Sequence, residues 1–458
     1  MKKKLRADFH IHSSYSFDGV LPPKQIVNYA INQNARWIAI TDHNNLEGVR
    51  DLWDTCAKDI SKNFGIKYYK KDLYNCPYIG YKGVNIVSGL EATCRISAVE
   101  NKKGNSSKVH LLVYGADINK NSPISKLMEI KHENDVLYDF GTLEYLLSQV
   151  PGHNITQKHI KEYIQEMKKK DSGYSTLTKD DIYNFLWSNG ITIARSQRHL
   201  NELLKNAPVV ERVNIEAKHL IDLAHASGGI VVMAHPAVNL MRTNYPEKLV
   251  SYLVDNGIDG FECFYNGSNE KYDKMIRKIC GKKKKMKDML FTAGSDTHSF
   301  CFGNTIGTYR HQKEDISINK QTNFISELSK LGKARENGYL SSRKPHILSS
   351  VELDEIIKYY RQEAKNAIIS EGTPLAEEHE IIQPLVRHVS KKKQKKEAKK
   401  EKHKKQKDKR EKKSHYYDRS GEEITPAEKA IFDKYIREME EAYGVNSDSE
   451  VEYFEKDN

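Results

Sequence analysis

Short runs of apolar, mostly β-branched residues recur along the first 300 positions, and each is followed by a stretch with helical spacing of its apolar residues. Residues 6–12 read as a strand, and Pro22-Pro23 then opens a helix through Asn34. "RWIAITD" (36–42) reads as a second strand, with "NLEGVRDLWDTCAKDI" as the helix behind it. "VNIVSGLEA" and "VHLLVYG" supply two more strands, and "GGIVVMAH", "DGFECF" and "DMLFTAGSD" supply three later ones. Helical segments such as 215–227 and 245–256 lie between them. This alternation predicts a parallel α/β sheet or barrel.

Two stretches interrupt the rhythm. Residues 61–82 form a Tyr/Lys-rich segment expected to be a loop or hairpin, either packed on the surface or offering rings to stack on bases. Residues 120–210 lack convincing strands and read as a helical insertion domain. Within it, "TKDDIYNFLWSNG" has Thr178 as N-cap and Gly190 as stop. The barrel is therefore expected from 1–119 and 211–345, with a helical extension over 346–386. A basic low-complexity segment follows at 387–420, and an acidic helix and tail at 421–458. In that last part Thr425, Pro426 and Glu428 make a capping box and Gly444 a stop.

Charge changes the picture only locally. The net charge of +12 looks like a nucleic-acid signal, yet Arg387–Lys413 holds 16 basic against 4 acidic residues, and the rest of the chain is balanced. That run is too polar to fold alone and is expected to be disordered or a solvated helix. Its two readings are a contact with nucleic acid or the ribosome, through displaced phosphate counterions, and a charged linker. The six cysteines are scattered without a C-x-x-C pair, which favours reduced thiols. No secretory leader or membrane span is evident, so a cytoplasmic location is expected.

Chemistry-bearing residues fall at the strand ends. His10 and His12 close the first strand, with Asp18 soon after, and Asp42-His43 close the second. Glu91 ends the third, His110 begins the fourth, and His235, Glu262, Asp296 and His298 mark the later ones. Singly, each is an ordinary strand-end or capping residue. In an α/β barrel, however, the strand ends share one mouth. Buried imidazoles and carboxylates cluster there only with a compensating cation.

"HIHSSYSFDG", "ITDHNN", "GLEAT", "VHLLVYG", "VMAHPA" and "AGSDTH", in that order over roughly residues 5–310, resemble the successive motifs of the PHP superfamily, named for polymerase and histidinol phosphatase. Asp18 and the insertion before "AHP" look most like the small nucleotide- and RNA-acting PHP phosphoesterases. The resemblance implies a distorted (β/α)7 barrel with a centre of two or three divalent ions, to which the residues themselves add the helical insertion and the basic C-terminal extension; with no thiolate among the candidates, Mn, Fe and Zn all stay open. It implies that His10, His12, Glu91 and Asp296 hold one ion, and that Glu91 bridges to a second completed by His110 and His235. Asp18, His43 and His298 would hold a third, with Asp42 and Glu262 orienting the ligands from behind. Arg195, in "ARSQRH", stands nearest the family's phosphate-facing element and is the expected phosphate clamp.

The expected reaction is hydrolysis of nucleotide or RNA-end phosphate esters by a metal-activated water, as a phosphatase or a 5′→3′ exonuclease. His43, Asp296 and His298 are the expected catalytic residues, with His43 or His298 protonating the leaving oxygen where ligation leaves it free. Two alternatives stand beside this reading. One is a small-molecule phosphatase of the histidinol-phosphate kind, and the other a non-catalytic nucleic-acid-binding protein whose PHP site is structural.

Overall fold

A computed structural model of the chain describes residues 6–64, 73–170, 177, 179–194, 196–204, 212–265, 268–283, 285–298, 321–341, 348–366, 416–417 and 423–424. Nine strands form one sheet: β1 (Arg6–Ile11), β2 (Ala35–Ile40), β3 (Tyr78–Tyr81), β4 (Val84–Glu100), β5 (Ser106–Tyr114), β6 (Ile215–Glu216), β7 (Ile230–Met233), β8 (Gly260–Phe264) and β9 (Leu290–Ala293). Seven of them run β1-β2-β4-β5-β7-β8-β9, while β3 and β6 flank β4. The ring closes where the segment after β9 meets β1. There His12 N–H donates to Thr297 O at 2.9 Å and Asp296 N–H to His10 O at 2.9 Å.

The expectation of a parallel sheet is corrected at β5 and at the flanking strand β3. β5 runs antiparallel to both β4 and β7, whereas β1–β2, β2–β4, β7–β8 and β8–β9 are parallel. The cause is the short turn at 101–105, which can return a chain antiparallel but cannot make a crossover. β4 also extends eight residues past "VNIVSGLEA", because β5 pairs with it as far as Glu100. Within 61–82, a helix reaches Phe64, and β3 adds antiparallel to β4.

Inside the barrel the strands alternate as a half-buried surface requires. Ala7, Phe9, Ala39, Val87, Leu112, Tyr114, Ile230 and Val232 form an apolar floor. Phe9 and Phe324 meet edge to face at 4.7 Å, and Tyr114 Oη donates to Phe9 O at 2.8 Å. Such ring pairs contribute about 0.5–1.5 kcal/mol each beyond burial. The outward-facing set, including Ile11, Ile38, Ile40, Leu111, Val231 and Met233, packs with apolar helix faces. Those faces belong to α1 (Pro23–Asn32), α2 (Glu47–Phe64), α7 (Ala217–Ala226) and α9 (Pro246–Asp255).

Four helices lie between β5 and β6: α3 (Pro123–Ser148), α4 (Gln157–Lys170), α5 (Lys179–Ser188) and α6 (Gln197–Leu203). The first half of α3 is not apart from the barrel, since Ile124, Leu127, Met128 and Ile130 join its outer core. Gly190, at φ +73°, follows the end of α5 where a stop was expected. Thr178 lies outside the described residues, as do Arg195, the basic run and the capping box at Thr425.

The remaining helices are α8 (Pro236–Leu240), α10 (Glu270–Lys282), α11 (Thr322–Glu336) and α12 (Ser350–Asn366). Residues 1–376 form one unit and 377–458 another. In the second, a two-stranded antiparallel pair, β10 (Tyr416–Tyr417) and β11 (Glu423–Ile424), was not foreseen. No helix among the described residues is long and apolar enough to cross a membrane. The five described cysteines are all free thiols.

Candidate metal centre

His10, His12, Asp18, His43, Glu91, His110, His235, Asp296 and His298 converge at the barrel mouth. β1 delivers the first two by way of an irregularity. Phe9 faces the floor, and the register shift between Asp8 and Ile11 then turns His10 inward as well. Because β5 is reversed, the residue it brings to the rim precedes the part of the strand that lines the floor, Leu112 and Tyr114, which explains His110 at the middle of β5. The segments after β7 and β9 present His235 at φ 29° and Asp296 at φ 53°. Residues without a glycine's freedom hold such angles at a cost of order 1–3 kcal/mol, and strain of this kind concentrates at functional sites.

Glu91 is the hub and is wholly buried. Its Oε1 lies 2.8 Å from His110 Nδ1 and 2.9 Å from His235 Nε2. Its Oε2 lies 3.2 Å from each of His10 Nε2, His12 Nε2 and His43 Nδ1. Asp296 Oδ1 approaches His10 and His12 at 3.3 and 3.2 Å, and those two Nε2 atoms are themselves 3.2 Å apart. On the outer side, Asp18 Oδ2 is 3.2 Å from His43 Nε2 and 3.1 Å from His298 Nε2.

Three groupings have ligand atoms within 4.8 Å of one another: His10, His12, Glu91 and Asp296; His43, Glu91 and His110; and His12, Asp18, His43 and His298. His43 thus borders two of them. His235 shares the Glu91 oxygen that faces His110.

Neighbouring side chains settle which imidazole nitrogens face inward. Glu262 Oε1 sits 3.1 Å from His10 Nδ1, while its Oε2 accepts from His235 N–H at 2.8 Å. Ser16 Oγ sits 3.2 Å from His12 Nδ1, accepts from His43 N–H at 3.2 Å and donates to Asp18 at 2.7 Å. With both Nδ1 atoms engaged from behind, the Nε2 lone pairs of His10 and His12 meet the carboxylates of Glu91 and Asp296. Lone pair against lone pair repels unless a proton, in the ion-free protein, or a metal cation stands among them, and mixed imidazole and carboxylate donors suit a borderline divalent ion. The buried Nδ1 of His43 makes no hydrogen bond, although Glu91 Oε2 is 3.2 Å away. That is a ligand's orientation, and the donor set fits metal.

Asp42 does not touch this cluster. Its two oxygens take Ser13 N–H at 2.6 Å and Ser13 Oγ–H at 2.7 Å, which anchors the loop bearing Ser16 and Asp18. Ser13, Ser16 and Asp8, whose Oδ1 accepts from His10 N–H and Ser295 N–H, were not singled out in the sequence. Serine and aspartate are common in loops, and only their contacts distinguish these three.

Electrostatics follow from the crowding. Burial opposes charge on His10, but Glu262, Asp296 and Glu91 outweigh it and raise its pKa well above the ordinary value. Burial likewise opposes charge on His12, and hydrogen bonds to Asp296 and Glu91 push it up to about 10. Burial pushes the Asp18 carboxyl up, yet His298 and His43 hold it well below the usual range. Burial lowers His43 despite Glu91 and Asp18, and raises Asp42 to about 6.

A pH signature follows. His12 in the ion-free protein lies above its unfolded value of 6.5, so it keeps its proton through neutral pH and loses it as pH rises through about 10. An ion that takes its Nε2 must expel that proton. Titrating Mn²⁺ into chelator-stripped protein at pH 7.5, in buffers of different ionisation enthalpy, is expected to show net release of at least about one proton. The apparent affinity should climb about tenfold per pH unit for each proton released. Affinity that stays flat between pH 6.5 and 8.5 would contradict this arrangement.

The chain is similar to several known proteins. The PHP domain family matches residues 8–174. A 5′-3′ exoribonuclease of Haemophilus influenzae is 23% identical over 297 residues, covering 64% of this chain and 90% of that protein. A solved structure from Bifidobacterium adolescentis, described as a metal-dependent phosphoesterase, superposes with a TM-score of 0.47 at 21% identity, over 70% of this chain and 95% of its own. The histidinol phosphate phosphatase of Lactococcus lactis superposes with a TM-score of 0.23 at 13% identity, over 71% and 94% of the two chains. Over residues 8–174 the chain is thus similar to the PHP domain family, and its rim of imidazoles and carboxylates is consistent with a hydrolase of phosphoric ester bonds.

Proposed function

We propose that the centre hydrolyses phosphate esters at the ends of nucleotides or RNA, with two or three ions of Mn, Fe or Zn held by the nine rim residues. The observation that carries this reading is the sharing of one buried carboxylate, Glu91, by five imidazoles, because such a hub holds cations close together. When bound, closely spaced divalent ions neutralise charge on phosphoryl oxygens and make water a competent nucleophile near neutral pH.

The chain's own residues do the rest. Glu262 and Ser16 fix the tautomers of His10 and His12. Asp18 aligns His43 and His298, and where two ions leave His298 unligated, that residue, one third exposed, is the group placed to give a proton to the leaving oxygen from Nε2. Asp296 completes the grouping around His10 and His12.

A nucleotide fits the rim better than a compact substrate. Phe17 lies half exposed with its ring stacked on His43 at 4.9 Å and 15°, so its outer face offers a flat apolar platform beside the centre. The relative named as a 5′-3′ exoribonuclease supports the same class. In this reading the basic run at 387–413 adds a salt-sensitive grip on RNA.

The test is release of phosphate or of mononucleotide by purified protein with Mn²⁺ from three substrates: a nucleoside 3′,5′-bisphosphate, 5′-phosphorylated RNA and histidinol phosphate. Metal analysis is made on the same preparation. Turnover of either of the first two at least about tenfold above histidinol phosphate, abolished by chelation, is the expected result. Preference for histidinol phosphate would move the assignment to small-molecule phosphatases. Binding of RNA without turnover of any substrate would make the chain a nucleic-acid-binding protein.

A further inference from the structure

β4 and β5 do not stop at the rim. Glu91 is bridged to His43 at the end of the β2 segment, yet β4 runs nine residues further, to Glu100, a path of about 30 Å at ~3.3 Å per residue. β5 returns from Ser106 and brings His110 back to the centre. The pleat continues outward in register as far as Ile96, and the ladder shifts register between Ile96 and Glu100 at the tip. Glu91, Thr93 and Arg95 share one face with His110 and Lys108 across the ladder, where Arg95 pairs directly with Lys108. The opposite face, with Ala92, Cys94, Ile96, Val109 and Leu111, is buried in the outer core. The face that holds the candidate ligands therefore becomes cationic one pleat beyond His110.

Lys108 is exposed and makes no ion pair among the described residues. Arg95 is held by Glu216 at 2.6 Å. At the tip, Lys102 N–H donates to Arg242 O at 3.0 Å, Asn101 bridges to Thr243, and Thr243 Oγ1 donates to Glu100 O at 2.6 Å. These bonds fasten the loop after α8, the short helix that follows His235, against the arm. Exposed Arg242 is thereby placed beside exposed Lys102 and Lys103. Five basic side chains face two acidic ones, Glu100 and the already engaged Glu216.

We propose that this arm is a track for the phosphodiester backbone of a single-stranded polynucleotide whose terminal phosphate lies in the metal centre. Lys108 takes the first backbone phosphate, and Lys102, Lys103 and Arg242 take those further out. The inference rests on the phosphoesterase reading of the centre and narrows its substrate to a chain longer than one nucleotide. Backbone contacts of this kind position a strand without reading its sequence, and each lysine that engages releases a counterion.

The experiment uses the full-length, Mn²⁺-loaded protein with Lys108→Glu, with the triple change Lys102→Ala, Lys103→Ala and Arg242→Ala, and with Lys278→Glu on α10 as a charge-matched control. Substrates are a 5′-phosphorylated 10-nucleotide RNA and a nucleoside 3′,5′-bisphosphate. Lys108→Glu is expected to raise KM for the RNA about tenfold and to lower its salt slope by about one. Its kcat, and both constants for the bisphosphate, should stay within about twofold, and the triple change should act the same way on the RNA alone. Equal loss on both substrates, no loss on either, or the same loss from Lys278→Glu overturns the track. If the unaltered protein hydrolyses neither substrate, the reading of the centre fails, and fluorescence anisotropy with the labelled RNA decides the arm separately. Weaker binding by Lys108→Glu but not by Lys278→Glu retains it, and equal binding by all three rejects it.

Discussion

Glu91→Ala is expected to abolish ion loading and turnover together, with kcat/KM falling at least about a thousandfold. The size follows from what ions supply to phosphate-ester cleavage, several kcal/mol of charge stabilisation, at 1.36 kcal/mol per factor of ten. No other side chain at the mouth can replace Glu91. Its two oxygens lie within 3.2 Å of nitrogen atoms on His10, His12, His43, His110 and His235. Without them the two inner groupings lose the anion they have in common, while Asp296 remains for His10 and His12 and Asp18 for the outer ligands. Glu91→Gln separates charge from shape. It keeps the volume and one acceptor oxygen, so the fold should persist while ion content drops. Metal analysis, circular dichroism and phosphate release on the same samples make the check. Ion content and activity within about twofold of the unaltered protein would remove Glu91 from the role of hub and the hydrolase proposal with it.

The strand-end residues were legible for a topological reason. In a closed sheet the ends of parallel strands open on one rim, so His12, His43, Glu91, His235 and Asp296 had to become neighbours once the strands were recognised. His110 stood out as the residue near the start of its predicted strand, and the antiparallel course of β5 supplies the explanation. The reversal itself was not legible from periodicity, since an apolar run reads alike in both directions. The length of β4 was hidden for a related reason. "CRISAVE" alternates with polar residues because one face of the arm leaves the core, and that pattern looks like the fading of a strand. β3 lies in the Tyr/Lys-rich stretch expected to be a loop or hairpin, and its antiparallel pairing with β4 takes the hairpin alternative, with Tyr78 and Tyr81 fitting a strand there. Arg195 lies outside the described residues, so the expected phosphate clamp is neither placed near the centre nor removed from it.

Small residues around the ligands left the faintest trace, because nothing in their spacing separates them from ordinary loop composition. Gly294 shows how much rests on one of them. It sits between β9 and Asp296, where an added Cβ would come within 2.1 Å of His10 Cβ and 2.3 Å of Glu262 Oε1. Neither neighbour can yield cheaply. His10 Cβ is fixed by the backbone of β1, and Glu262 is bound at both oxygens, to His10 and to His235 N–H. Gly294→Ala must therefore push His10 off its line toward Glu91 and Asp296, or push Glu262 off His10 and free its tautomer.

Overpacking of this kind costs about 1–3 kcal/mol in stability. A reacting group displaced by about 1 Å loses on the order of a hundredfold in rate. Gly294→Ala is accordingly expected to lower the melting temperature, weaken ion affinity and cut kcat/KM about a hundredfold. Gly104→Ala, at the tip of the β4–β5 turn, separates the steric effect from the loss of a glycine. Its φ is +78°, but nothing lies within 4 Å of an added Cβ, so it should strain the backbone locally without moving the ligands. Should Gly294→Ala keep full ion content and activity while Gly104→Ala behaves the same, the tight contact of His10, Glu262 and Gly294 would not be what holds the centre in shape.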